Sequence, residues 1–171
     1  MPGIIGHETE DLWWQAVRDK AMTAQEARAV AIRNGADIPD NVRFGVLSDK
    51  EYIDRFGADS WASYARFKVS GNGSIPMRAT SPGQTALLNT DGNLVVYVRE
   101  KVLTSERATT AVFAHESLEA EELMYAFREN AGSMSYKKFN DLVRNNQPGN
   151  LHNDARDLGD YLVRQMIKKG K

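Results

Sequence analysis

Apolar and polar positions along the chain alternate between two periods, three to four residues in some stretches and two in others. Residues 9–34 follow the helical period, with Leu12, Trp13, Ala16 and Val17 on one side of TEDLWWQAVRDKA. Glu10 and Asp11 sit where a helix dipole favours them. In MTAQEARAVAIRNG, Thr23 followed by Glu26 is a capping box and Gly35 a stop signal. This region therefore predicts two helices joined near Met22, or one kinked helix. ADIPDNVRFGVL then leads through a loop into a strand at Val42–Leu47. Ser48 with Glu51, closed by Gly57, frames a short helix.

The next stretch is rich in strand and turn signals. WASYARFKV alternates as one strand, with Ala62, Tyr64, Arg66 and Lys68 on one face and Ser63, Ala65, Phe67 and Val69 on the other. SGNGSIPMRA and TSPGQTALLN contain turn dipeptides, and Asp91-Gly92 precedes a strand at Leu94–Val98. From Leu103 the pattern is helical to the end. One helix opens at Thr104 or Ser105 and runs to about Asn130. A shorter one spans SYKKFNDLVRNN with Ser135 as its cap. After Pro148-Gly149 comes LHNDARDLGDYLVRQMIKK. The sum is an α+β fold: a small antiparallel sheet over residues 42–98, packed against N-terminal helices and a C-terminal three-helix region. One domain over 1–171 accounts for the pattern, with residues 1–35 as part of it or as a helical arm.

Composition narrows this picture only a little. The 171 residues are 42% hydrophobic and 26% charged, ordinary for a globular chain, and contain no apolar run long enough for a membrane span. MPGIIGHETEDLWW has no basic stretch followed by an apolar one, so no signal peptide is expected, and the abrupt start also suits a piece of a longer protein. The absence of cysteine removes disulfides, thiolate metal sites and cysteine nucleophiles, and leaves the compartment open between cytoplasm and export. A net charge of −1 gives no global field for nucleic acid, and the basic tail RQMIKKGK reads as a solvated end. Glycine-rich dinucleotide and phosphate loops and the Gly-x-Ser-x-Gly elbow are missing, which sets aside the enzymes built on them.

The chemistry concentrates on the helix TTAVFAHESLEAEELMYAF. With about 100° between successive residues, Glu119, Glu122 and Glu129 fall within about 40° of His115 and form one polar stripe. Val112, Phe113, Ala120, Leu123, Met124 and Phe127 flank it on one side, and Ala114, Leu118 and Tyr125 on the other. Such a stripe predicts a cleft or a polar helix crossing rather than an open surface. Glu116 projects into the apolar arc, where a carboxylate must be paired, protonated or ligand-bound. His115 and Glu119 are four residues apart and reach the same point, and imidazole with carboxylate suits zinc, manganese or a related divalent ion. The third ligand expected is His152, at the edge of the inward face formed by Ala155, Leu158, Gly159, Leu162, Val163 and Met166. Asp154 and Asp157 are alternative ligands or orienting groups, and His7 is the remaining histidine. A local His115–Glu119 hydrogen bond without metal, structural or acid–base in role, is the other reading of the same residues.

Residues 91–119, DGNLVVYVREKVLTSERATTAVFAHESLE, resemble the strand, connector and His-Glu-x-x-His helix of zincin-type metallopeptidases. The resemblance places the first metal histidine on His115 and the general-base glutamate on Glu116. The second metal histidine falls on Glu119, a departure from the motif. It implies a metal-dependent hydrolase; on that enzyme reading Tyr125 or Arg99 stabilises developing negative charge, ordinary core packing being the other reading of Tyr125. The chain is also similar to C-terminal toxin domains of bacterial polymorphic secretion systems. That likeness implies a secreted effector, cleavage of peptide or nucleic acid, and a cognate immunity or carrier protein as partner.

Two other function classes draw on different residues. Tyr64, Arg66 and Lys68 on one strand face, with Arg78 and Ser81 nearby, would suit a metal-free RNase-like toxin. Adjacent Trp13 and Trp14 cannot enter one core together, so either one of them docks on a partner, as in a non-enzymatic interaction module, or both are partly buried where the first helix wraps the sheet.

Overall fold

Ser105 begins the element that organises the molecule. Its hydroxyl accepts from the Ala108 backbone N–H at 3.1 Å and donates to the Trp13 carbonyl at 2.6 Å. It thereby caps a helix of 24 residues, α4 (Glu106–Glu129), and ties it to the N-terminal segment. The computed structural model describes residues 10–58, 60–65, 67–69, 74–75, 85–88, 94–129, 133–139, 141 and 151–171. Around α4 lie α1 (Glu10–Trp13), α2 (Ala24–Arg33), α3 (Asp49–Phe56), α5 (Tyr136–Phe139) and α6 (Leu151–Lys168). The strands are β1 (Val42–Leu47), β2 (Ala62–Ala65), β3 (Phe67–Val69), β4 (Ser74–Ile75), β5 (Thr85–Leu88), β6 (Leu94–Arg99) and β7 (Ser133–Ser135). A 3-10 turn at Glu100–Thr104 carries the chain from β6 into α4.

Local signals were faithful where they were strong. Thr23 Oγ1 accepts from the Glu26 N–H at 3.1 Å and Glu26 Oε1 accepts from the Thr23 N–H at 3.2 Å, closing the capping box of α2. Gly35, at φ 106°, lets the chain leave that helix in a conformation other residues avoid. Ser48 caps α3 through the Glu51 N–H at 3.2 Å.

The fold is α+β as expected, with strands packed against N- and C-terminal helices, but among the described residues the strands form two sheets rather than a single antiparallel one. In the first, β6 is central in the order β1-β6-β2. β1 runs parallel to β6, with Val42 opposite Leu94, and β2 runs antiparallel to it, with Ala62 opposite Val98. One face of β6 is buried and the other half-buried, in keeping with the nearly continuous apolar run LVVYV. Leu94, Val96 and Val98 are buried, and Phe44 of β1 stacks on Phe113 of α4 at 3.9 Å. The second sheet has the order β4-β3-β5-β7 and is antiparallel. WASYARFKV is therefore not one strand: β2 pairs with β6, and β3 pairs with β4 and β5. Nor is the chain helical throughout after Leu103, because β7 adds to β5 with Ser135 opposite Thr85.

The N-terminal region is also less helical than its periodicity predicts. α1 stops at Trp13, and the Arg18 and Met22 N–H groups bond instead to the carbonyls of Thr104 (2.7 Å) and Leu103 (2.9 Å). Tertiary partners thus take donors that a continuous helix would have used. Ala16 and Val17 are exposed as a result, while Trp13 is buried. One hydrophobic cluster includes Trp13, Met22 and Ala27 with the core faces of β6, α4 and α6. Among the described residues, no helix is long and apolar enough to cross a membrane.

On α6, Gly159 lies against Ala111 and His152 lies against Glu119, so α4 and α6 run antiparallel. The Pro148-Gly149 break, the Asp91-Gly92 turn, the turns in 70–73 and 76–84, and His7 lie outside the described residues.

Candidate metal centre

Two elements build the site. The third turn of α4 carries His115 and Glu116, and the next carries Glu119. The first turn of α6 delivers His152. All four side chains are buried, with 3%, 1%, 2% and 8% of their respective residue surfaces exposed. Glu119 is the centre: its Oε2 lies 3.1 Å from His115 Nε2 and 2.9 Å from His152 Nδ1. The two rings meet edge to face, with centroids 5.1 Å apart.

An ionised carboxylate only accepts hydrogen bonds, so each ring presents an N–H to that oxygen. Burial pushes the Glu119 carboxyl up. The charge and hydrogen bond of His115, followed by those of His152, overcome that effect and hold it at about 2.

One ligand atom from each of His115, Glu119 and His152 can be chosen so that all three lie within 4.8 Å of one another. Zinc bonds to nitrogen and carboxylate oxygen are about 2.0–2.2 Å long, so donors around a tetrahedral ion stand about 3.3 Å apart. Two of the three spacings here, 2.9 and 3.1 Å, are already close to that value. A divalent ion would take the place of the two protons that now point at Glu119. The residues fit the group: this is a buried cluster capable of chelating a divalent metal.

The stripe expected on α4 ends at Glu119. Glu122 and Glu129 are exposed, whereas Glu119 is covered by His152 from the first turn of α6. Asp154 and Asp157 are likewise exposed and outside the cluster. Tyr125, proposed from sequence to stabilise negative charge, is 58% exposed on the outer side of α4. Arg99 is engaged elsewhere, its Nε 3.5 Å from Asp49 Oδ1 and its guanidinium 4.4 Å from the centre of the Trp61 ring. It precedes α4, whereas His115 is nine residues into that helix, about 13 Å along its axis. Neither residue joins the cluster.

The alternative sites fare differently. Arg66, Arg78 and Ser81 of the basic face lie outside the described residues, and Tyr64 and Lys68 belong to strands of different sheets. Trp13 is in the core, while Trp14 is partly buried, its ring centroid 5.4 Å from that of Trp61 and with Lys101 Nζ 5.0 Å from its own centre. The adjacent tryptophans thus divide between the core and a cation-covered aromatic pair. Comparison with protein families, curated proteins and solved structures gives no match for this chain.

Proposed function

We propose that this chain is a metal-dependent hydrolase whose ion is held by His115 Nε2, Glu119 and His152 Nδ1. The observation that carries the reading is the donor set: two imidazoles and one carboxylate converge, and a further buried carboxylate, Glu116, follows the first ligand in sequence. Among the described residues the candidate ligands number three, the composition of catalytic zinc centres, which keep a position open, whereas structural centres are closed by four. When bound, zinc or manganese supplies Lewis acidity toward a carbonyl or phosphoryl oxygen. His115 and His152 fix that position from two helices, and Glu119 offsets the ion's charge in a site that excludes bulk water. Glu116 takes the proton from the attacking water and returns it to the leaving group. The likeness to secreted bacterial toxin domains supports peptide or nucleic acid as substrate and an immunity or carrier protein as partner.

The test begins with metal analysis of protein purified without a histidine tag. About one equivalent of zinc or manganese is expected, lost in His115→Ala and retained in Glu116→Gln. The same proteins are then incubated with RNA, DNA and unfolded protein, with and without chelator. Chelator-sensitive cleavage that drops about 100-fold or more in Glu116→Gln supports the reading. A metal-loaded protein inactive on all three substrates would make the ion a structural clamp. Chelator-resistant RNA cleavage would favour the metal-free RNase.

A further inference from the structure

We propose that Gly159 is a positioning residue for the metal centre: the missing side chain lets α6 approach α4 closely enough for His152 to meet Glu119. This rests on the metal reading above and concerns how the chain sets its ligand spacing. A Cβ at position 159 would lie 3.1 Å from the Ala111 carbonyl oxygen, 3.5 Å from its Cα and 3.6 Å from its carbonyl carbon. These are backbone atoms of a buried helix and cannot rotate away. Gly159 lies in the middle of α6, where glycine is a poor helix former, so local conformation gives no reason for it. The close approach does.

α4 cannot yield easily. Phe113 is stacked on Phe44 of the first sheet, and Thr110 Oγ1 accepts from Asn34 Nδ2 at 3.4 Å on the α2 side. The displacement therefore falls on α6. His152 stands seven residues before Gly159 on the same stiff rod, about 10 Å away, and receives the shift almost whole. Metal–ligand distances tolerate only about 0.2 Å, so a few tenths of an ångström at position 159 matter at position 152.

The test compares the wild-type chain with Gly159→Ala, Gly159→Val and Leu162→Ala. Each is stripped of metal, its zinc affinity is measured by competition with a chromophoric chelator, and the absorption bands of bound Co2+ report ligand geometry. Leu162 is the control because its Cδ2 packs beside Gly35 and it stands ten residues along α6 from His152. Gly159→Ala is expected to weaken zinc binding by about 10-fold or more, as loss of groups that orient ligands does, and to shift the Co2+ bands. Gly159→Val should weaken binding further, and if it does not fold, Gly159→Ala alone decides. Leu162→Ala should lower Tm while leaving zinc affinity within about twofold, since it leaves the ligands in place. Wild-type affinity in Gly159→Ala, or an equal loss in Leu162→Ala, would overturn the role of Gly159 while leaving the metal centre standing. A wild-type chain that binds no zinc would remove both.

Discussion

Glu119 places one carboxylate oxygen between two imidazoles in a site almost closed to water, and that arrangement has a pH signature. In chelator-treated protein its pKa is lowered from the ordinary 4.5 to about 2. A depressed carboxyl pKa means that the ionised form stabilises the fold. That stabilisation is fully present above pH 4.5 and is lost as pH falls through about 2. Glu119→Gln should therefore be less stable than wild type by urea unfolding near neutrality, and the gap should narrow as pH drops from 4.5 toward 2. A gap independent of pH would show that the carboxylate's charge contributes nothing to the fold. At this scale much was legible in the sequence. His115 and Glu119 share a helix face by spacing, and His152 falls on the edge of an inward face. The limit of the stripe was not legible, because Glu119 is met by His152, 33 residues further along the chain, and not by a neighbour on its own helix alone. The exposure of Tyr125 and the engagement of Arg99 with Asp49 and Trp61 were not legible either, since surroundings come from elements remote in sequence.

Among the described residues before Thr23 only four are helical, and Trp13 and Met22 of this segment join the core cluster. Trp13 fills the core beside the start of α4, and its carbonyl accepts from Ser105. Trp13→Ala should cost about 3–5 kcal/mol in chemical denaturation, the range for truncating a buried aromatic. Trp14→Ala should cost clearly less, since Trp14 is only partly buried. Equal and small effects would mean that the segment folds apart from the rest. The contrast between elements read correctly and incorrectly has one physical source. Caps and turns are local chemistry, so Thr23 with Glu26, Ser48 with Glu51 and the span of β6 are written in adjacent residues. Partner choice is not local. The parallel pairing of β1 with β6, the addition of Ser133–Ser135 to β5, and the bridge of Val17 to Ser105 depend on which backbone edges remain open after collapse.

At the scale of the whole molecule, the ligands join segments that the chain keeps far apart. His115 and Glu119 lie on α4, His152 opens α6, and the 32 residues between Glu119 and His152 include β7 and α5. An unfolded chain does not present these donors together, so metal binding should stabilise the folded state by mass action. At a free zinc concentration about 100 times Kd the gain is about 2.7 kcal/mol. For a chain of this size that corresponds to a rise in Tm of about 5–10 °C. Differential scanning fluorimetry on stripped protein, with and without zinc, measures it directly. His152→Ala should abolish the rise whatever its own metal-free Tm, because two ligands on one helix face hold α4 alone and no longer fasten α6 to it. A rise of the same size in His152→Ala would place the stabilising ion elsewhere on the molecule. Loss of the rise in His152→Ala, with its retention in Glu116→Gln, would separate the residues that hold the ion from the carboxylate assigned to proton transfer.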